Sequence, residues 1–266
     1  MTSVSFNSMA ASYERMAGGA TRELIERALP LLPPITSSSV VLDNACGTGL
    51  ASSAVLRLAT PATLHAIDAA PAMVEIAAGV LPPTVHTAVM PGESLSFPDG
   101  TFTHSLTNLG LFAFTDPAKG AREIHRTLRD GGVALVTGWA SHAHLDIVER
   151  VQKTLRPGVA PRSFPISEDW LRVETYKRTL EGAGFGNVEV TTREVCWAAE
   201  SLDDLVDLLL GVLEKMIAED LTEGEMANGR KLAREYAEPE VRKMTRPGGG
   251  EVLGISLTGI VAICRK

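Results

Sequence analysis

Residues 39–50 read Ser39-Val40-Val41-Leu42-Asp43-Asn44-Ala45-Cys46-Gly47-Thr48-Gly49-Leu50, and this stretch decides the fold. The β-branched apolar run up to Leu42 predicts a buried strand. It ends in a tight turn bearing Gly47 and Gly49, and an apolar helical pattern follows from Leu50 to Leu58. Strand, glycine loop and helix form the opening unit of a nucleotide-binding α/β sheet. Glycine lets the backbone take φ > 0 and lets a ligand lie against the chain. The free N–H groups of the following helix then face that ligand.

Further along, Thr63-Leu64-His65-Ala66-Ile67-Asp68 predicts a second strand ending in a carboxylate. An acid there can accept from both ribose hydroxyls. NAD-binding proteins share this device, so it leaves two cofactor classes open. Three later stretches separate them. They are Pro91-Gly92-Glu93-Ser94 through Phe102, Ser105-Leu106-Thr107-Asn108-Leu109-Gly110-Leu111, and the series from Asp116-Pro117 to Gly131-Gly132. A nicotinamide dehydrogenase has no need of that ordered set. Together the motifs resemble class I S-adenosylmethionine (AdoMet) methyltransferases, and among them the ubiquinone/menaquinone-type small-molecule enzymes. The block Val41 to Gly49 is also similar to fungal bis-thiomethyltransferases that cap dithiol secondary metabolites. The resemblance covers the first half of the chain and the last strand. It implies an α/β fold with a Rossmann-like, doubly wound, mostly parallel seven-stranded sheet and an antiparallel last strand. It also implies AdoMet as cofactor and S-adenosylhomocysteine (AdoHcy) as its product.

Composition agrees with one large α/β domain carrying an insertion: the chain has 266 residues, 45% of them apolar. A formal net charge of −7 argues against a nucleic-acid partner, because a phosphate backbone calls for a basic face. No apolar run reaches the ~20 residues of a membrane span. Met1 to Ser5 lack the basic start and apolar stretch of a secretory signal. Cys46, Cys196 and Cys264 show no paired spacing, which reads as reduced thiols in a cytoplasmic protein without a zinc site.

The chain divides into an N-terminal helical lid over 1–36, an AdoMet-binding core over 37–140 and a helical segment over 141–186. A helical insertion over 196–250 and a last strand over 251–266 complete it. In the core, strands at 40–44, 63–68, 85–89, 103–108 and 133–139 alternate with helices at 50–59, 71–78 and 117–129. This is the pattern of a parallel sheet covered on both faces. A helix is expected over Trp170–Leu180, and a strand over Asn187–Val195. Ser201 opens an apolar helix with Asp204 as capping partner. That helix is apolar over too wide an arc for a free surface helix, so it covers either the active-site mouth or a second subunit in a homodimer.

The resemblance also distributes roles. Ala45, Gly47 and Gly49 bring backbone to the methionine part of AdoMet. Asp43 orders that loop, reaches the cofactor amino group through water, or serves as a turn carboxylate. Asp68 takes the ribose diol, while Ala69 and Met73 wall the adenine. The family often carries an Asp where this chain has Pro91, so Gly92, Glu93 or Ser94 must hold the adenine amine instead. Asn108 and Leu109 lie beside the reactive methyl. Tyr13 donates to the methionine carboxylate, with Arg15 balancing its charge. His142 and His144, after the fifth strand, are the candidate proton acceptors, with surface positions as the plainer reading. His65, His86 and His125 read as structural. Phe112, Phe114, Phe164, Trp170, Leu205, Leu209 and Leu213 are candidate walls of an acceptor pocket.

The expected activity is methyl transfer to oxygen or sulfur of a small, fairly apolar metabolite, in secondary metabolism. Two alternatives stand beside it: an AdoMet-binding protein of this fold that transfers no methyl group, as a partner subunit or pericyclase-like catalyst, and an NAD(P)-dependent oxidoreductase.

Overall fold

Val40–Asn44 forms strand β1, and Val41 to Asn44 are all buried. In the computed structural model, which describes residues 3–163, 166–217, 221–246 and 249–266, this strand lies inside a single sheet. On one side of it lie β2 (Thr63–Asp68) and β3 (Val85–Val89). On the other lie β4 (Phe102–Thr107) and β5 (Leu128–Trp139). These five strands pair in parallel. The sheet continues into β8 (Glu251–Arg265), antiparallel to β5, and ends at β6 (Asn187–Ala199). The seven expected strands thus form one path. An eighth, β7 (Arg242–Thr245), pairs with β8 off that path, inside the insertion expected to be helical over 196–250.

Helices cover both faces. Helix α1 (Ser3–Met16) and α2 (Ala20–Ala28) precede the sheet. They are separated at Gly18 and Gly19, whose φ values of 52° and 77° suit glycine. Helices α3 (Leu50–Leu58), α4 (Pro71–Val80) and α5 (Pro117–Thr127) join successive core strands. Helix α5 stops two residues short of the expected Arg129, because Leu128 is already paired with Phe102 in the sheet. Helix α6 (Ala143–Leu155) follows β5. The helix expected at 170–180 is a short 3-10 turn, Glu168–Leu171, and then α7 (Val173–Glu181).

Helix α8 (Leu202–Ile217) begins where Ser201 Oγ accepts from the Asp204 N–H at 3.1 Å, and α9 (Glu223–Ala237) opens on a Thr222/Glu225 capping box. The wide apolar arc of α8 is satisfied within the chain, since this helix packs on β6, β8, α1, α6 and α9. Leu205, Leu209 and Leu213 are core residues there, joined by Ile147, Val148 and Leu232. The opposite face of the sheet carries a second core of Leu42, Ile67, Phe102, Ile124, Tyr176 and Phe185. The run Pro247-Gly248-Gly249-Gly250 reads as a turn, and its Pro247 and Gly248 lie outside the described residues. Gly249 and Gly250 both have positive φ. Among the described residues, no helix is long and apolar enough to cross a membrane.

Candidate active site

The strand order reverses between β1 and β4, and in open α/β sheets ligands lie at the carboxyl ends of strands at such a point. A cavity of about 230 Å³ occupies that place. Its floor comes from the loops after four strands: Ala45 and Gly47, Asp68 and Ala69, Gly92 and Glu93, Asn108 and Leu109. Met73 of α4 and Tyr13 of α1 close its sides. Ala45 and Leu109 have φ values of 60° and 57°, and both lie on this wall. Non-glycine residues held in that region cluster at functional sites, because the surrounding fold must over-determine them. Glycine is required around them. A Cβ on Gly110 would stand 2.6 Å from that of Ala45, and one on Gly92 would stand 2.3 Å from the Phe114 ring.

Asp68 is fixed by the backbone on both sides. Its Oδ2 accepts from Gly47 N at 2.9 Å and its Oδ1 from Ala70 N at 2.8 Å. Each oxygen keeps a further lone pair for a ligand. Burial raises the carboxyl pKa, and these N–H bonds oppose that rise. Met73 is nearly enclosed and packs with Ala10, Phe6 and Tyr13 of α1. Asn7 Oδ1 accepts from Ala72 N at 2.9 Å, which ties α1 to the first turn of α4. Glu93 Oε1 accepts from Thr115 N at 2.6 Å. Asn108 Oδ1 accepts from Thr137 Oγ1 at 2.7 Å, and Thr137 Oγ1 in turn accepts from Leu109 N at 2.9 Å. Burial foremost, and then the charges of Glu14 and Asp68, push the Tyr13 phenol far up, so it stays protonated.

Several expected contacts lie elsewhere. Asp43 is fully buried beneath the loop and does not reach the cavity wall. Its Oδ2 accepts from Ser52 N at 2.8 Å and from Ser52 Oγ at 2.6 Å, which ties β1 to α3. Burial raises its pKa to about 6. Gly49, at φ 89°, turns toward Leu81 and Ala77 and not toward the ligand space. Ser94 is exposed, with its N–H on Pro91 O. Arg15 is exposed and points away from the cavity; its neighbour Glu14 lines the wall and accepts from Thr48 Oγ1. A helical face turns by about 100° per residue, so neighbours in sequence address different sides.

A second cavity of about 570 Å³ adjoins the first under α1, α2, α6 and α8. Its walls are mostly apolar: Met16, Trp139, Leu145, Trp197, Val212 and Met216. His142 and His144 both line it. The His144 ring stacks on Trp197 at 4.9 Å, and burial lowers the pKa of His142 to about 4 and of His144 to about 3. Both rings are therefore neutral at neutral pH. Of the expected wall residues, Phe114 belongs to the first cavity. Phe112, Trp170, Leu205, Leu209 and Leu213 line neither, and Phe164 lies outside the described residues.

Sequence reading missed Glu14, Thr21 and Trp197. Thr21 carried a signal, a hydroxyl on the same helical face as Leu24, Ile25 and Ala28. Trp197 carried none, because it meets α1 only through folding: its Nε1 donates to Met16 O at 2.8 Å.

The first cavity fits AdoMet. Asp68 suits a ribose diol, Phe6, Ala69 and Met73 form an apolar slot for a purine, and Glu14 suits an ammonium group. Comparison with known proteins agrees. Residues 42–136 match the family described as Methyltransferase domain. The methyltransferase ucsB of an Acremonium species is 28% identical over 249 residues, covering 85% of each chain. The 2-methyl-6-phytyl-1,4-hydroquinone methyltransferase of Synechocystis is 28% identical over 188 residues, 68% of this chain and 55% of that protein. Among solved structures, an S-adenosylmethionine-dependent methyltransferase from Thermotoga maritima shares the fold, with a TM-score of 0.57 at 15% identity and full coverage of both chains. With the ordered loop motifs, the reversed strand order and the antiparallel β8, these matches identify the chain as a class I methyltransferase with S-adenosylmethionine as its cofactor.

Proposed function

We propose that the chain methylates oxygen or sulfur of a small, fairly apolar metabolite that occupies the second cavity. The observation that carries this reading is the cavity itself. It adjoins the cofactor site, shares Tyr13 and Thr21 with it, and is walled mainly by aromatic and aliphatic side chains. Small-molecule sites have this character: concave, apolar and punctuated by a few polar groups. The Synechocystis relative, whose name gives a phytyl hydroquinone, supports an apolar ring-bearing acceptor. The similarity of the loop after β1 to bis-thiomethyltransferases supports a role in secondary metabolism.

The cofactor brings an activated methyl group on a sulfonium, so the protein has to align the acceptor and keep water out. Alignment alone supplies ~7–11 kcal/mol. Helix α1 covers the cofactor cavity through Phe6 and Tyr13, and it lines the second cavity through Tyr13, Met16 and Ala17. His142 and His144, depressed to about 4 and about 3, are weak proton acceptors and serve as uncharged hydrogen-bonding groups. An acceptor that ionises readily, a thiol or an acidic phenol, meets that condition. The test is incubation with methyl-labelled AdoMet and a panel of apolar thiols and phenols, followed by mass analysis. Labelled thioether or ether with equimolar AdoHcy is expected. AdoMet binding without any AdoHcy release would overturn the proposal in favour of a non-transferring protein.

A further inference from the structure

We propose that Thr21 positions the acceptor, its hydroxyl hydrogen-bonding the oxygen or sulfur to be methylated where the two cavities meet. The inference rests on the second cavity being the acceptor site. Two side chains belong to both walls, Tyr13 and Thr21, so a methyl group passing from one space to the other passes beside them. Thr21 is 6% exposed, and its Oγ1 is buried without a hydrogen-bond partner. Such a group ordinarily finds a partner, because a buried hydroxyl that has given up its bonds to water and made no others is costly. A bound acceptor would supply the missing one. Threonine in a helix populates two χ1 rotamers, so Oγ1 and the methyl group can exchange places without moving α2.

The frame that carries this hydroxyl is rigid. Leu24 and Ile25, one turn on, are fully buried. The Thr21 carbonyl accepts from Asn108 Nδ2 at 3.5 Å, and Asn108 is held by Thr137. The backbone that carries this hydroxyl is thus tied to the loop after β4, which walls the cofactor cavity. A hydroxyl both donates and accepts, so it suits an O–H or S–H group and equally its anion. Placed on the buried face of α2 it satisfies no internal bond, and valine would fill the same volume.

The test uses the full chain saturated with AdoHcy, with 2-naphthol and naphthalene as probes in fluorescence titrations. The wild-type protein is expected to bind 2-naphthol about fivefold or more tighter than naphthalene, the worth of one hydrogen bond. Thr21→Val should erase that preference and leave AdoHcy affinity, measured by calorimetry, within about twofold. Thr21→Ser should restore the preference, which a purely packing role would not do. A preference that survives Thr21→Val overturns the proposal. So does a loss of AdoHcy affinity beyond about tenfold, which would assign the hydroxyl to the cofactor. Failure of the acceptor-site reading looks different: neither probe binds the wild type, or naphthalene binds Met216→Trp, with its second cavity filled, as well as it binds wild type.

Discussion

The two cavities are built by opposite means. The cofactor cavity is floored by loops that leave successive parallel strands, and its shape depends on backbone: positive φ at Ala45, Gly47 and Leu109, and glycine at 92 and 110. The second cavity has almost no such backbone. It is enclosed by side chains from α1, α2, α6, α8, β5, β6 and β8, brought together from across the chain. Backbone-lined space tolerates little change and suits an invariant ligand. Side-chain-lined space can be reshaped one residue at a time, which suits the proposed acceptor.

The largest expected effect probes the layer behind the second cavity. Leu209 is 1% exposed and lines neither cavity, so Leu209→Ala should cost about 2–5 kcal/mol of stability. Acceptor and cofactor affinities of the folded fraction should hold. A changed acceptor selectivity at unchanged stability, seen by denaturant titration, would break the division between supporting core and cavity wall.

Asp43 tests the same division on the cofactor side. Its folded pKa of about 6 lies above the ordinary 3.8, so the native state holds the proton more tightly. Stability from this group is full below pH ~3.8 and is lost as pH rises through about 6, a change of about 3 kcal/mol. Asp43→Asn cannot ionise and should flatten that slope in urea titrations at pH 4, 5, 6 and 7. Parallel profiles for the two proteins would remove Asp43 as the source.

Asp68→Ala should weaken AdoHcy binding by about 1.5–3 kcal/mol, ~10–150-fold by calorimetry, with little loss of fold. Unchanged affinity would take Asp68 out of the cofactor site. Val212→Ala is the mildest change. It enlarges the second cavity by two methyl groups at a cost of about 1 kcal/mol or less, since Val212 is already 9% exposed. AdoHcy affinity should stay within about twofold while bulkier acceptors gain in competition assays. Equal shifts for cofactor and acceptor would show that the cavities are not separable.

The sequence by itself determined the β1 strand, its glycine loop, the acid closing β2 and the alternation of strands and helices through β5. These follow from local backbone chemistry. β-Branched runs extend, glycine permits φ > 0, proline opens helices, and a two- or 3.6-residue period assigns faces. Only the tertiary structure decided that Asp43 and Gly49 stand behind the cofactor loop, that Glu14 faces the cavity in place of Arg15, and that α8 is covered by its own chain. It alone assembled the second cavity, through long-range bonds such as Cys196 N to Glu23 Oε2 at 3.1 Å and Trp197 Nε1 to Met16 O at 2.8 Å. Periodicity states which face of an element is apolar, but which element covers that face depends on packing between distant segments.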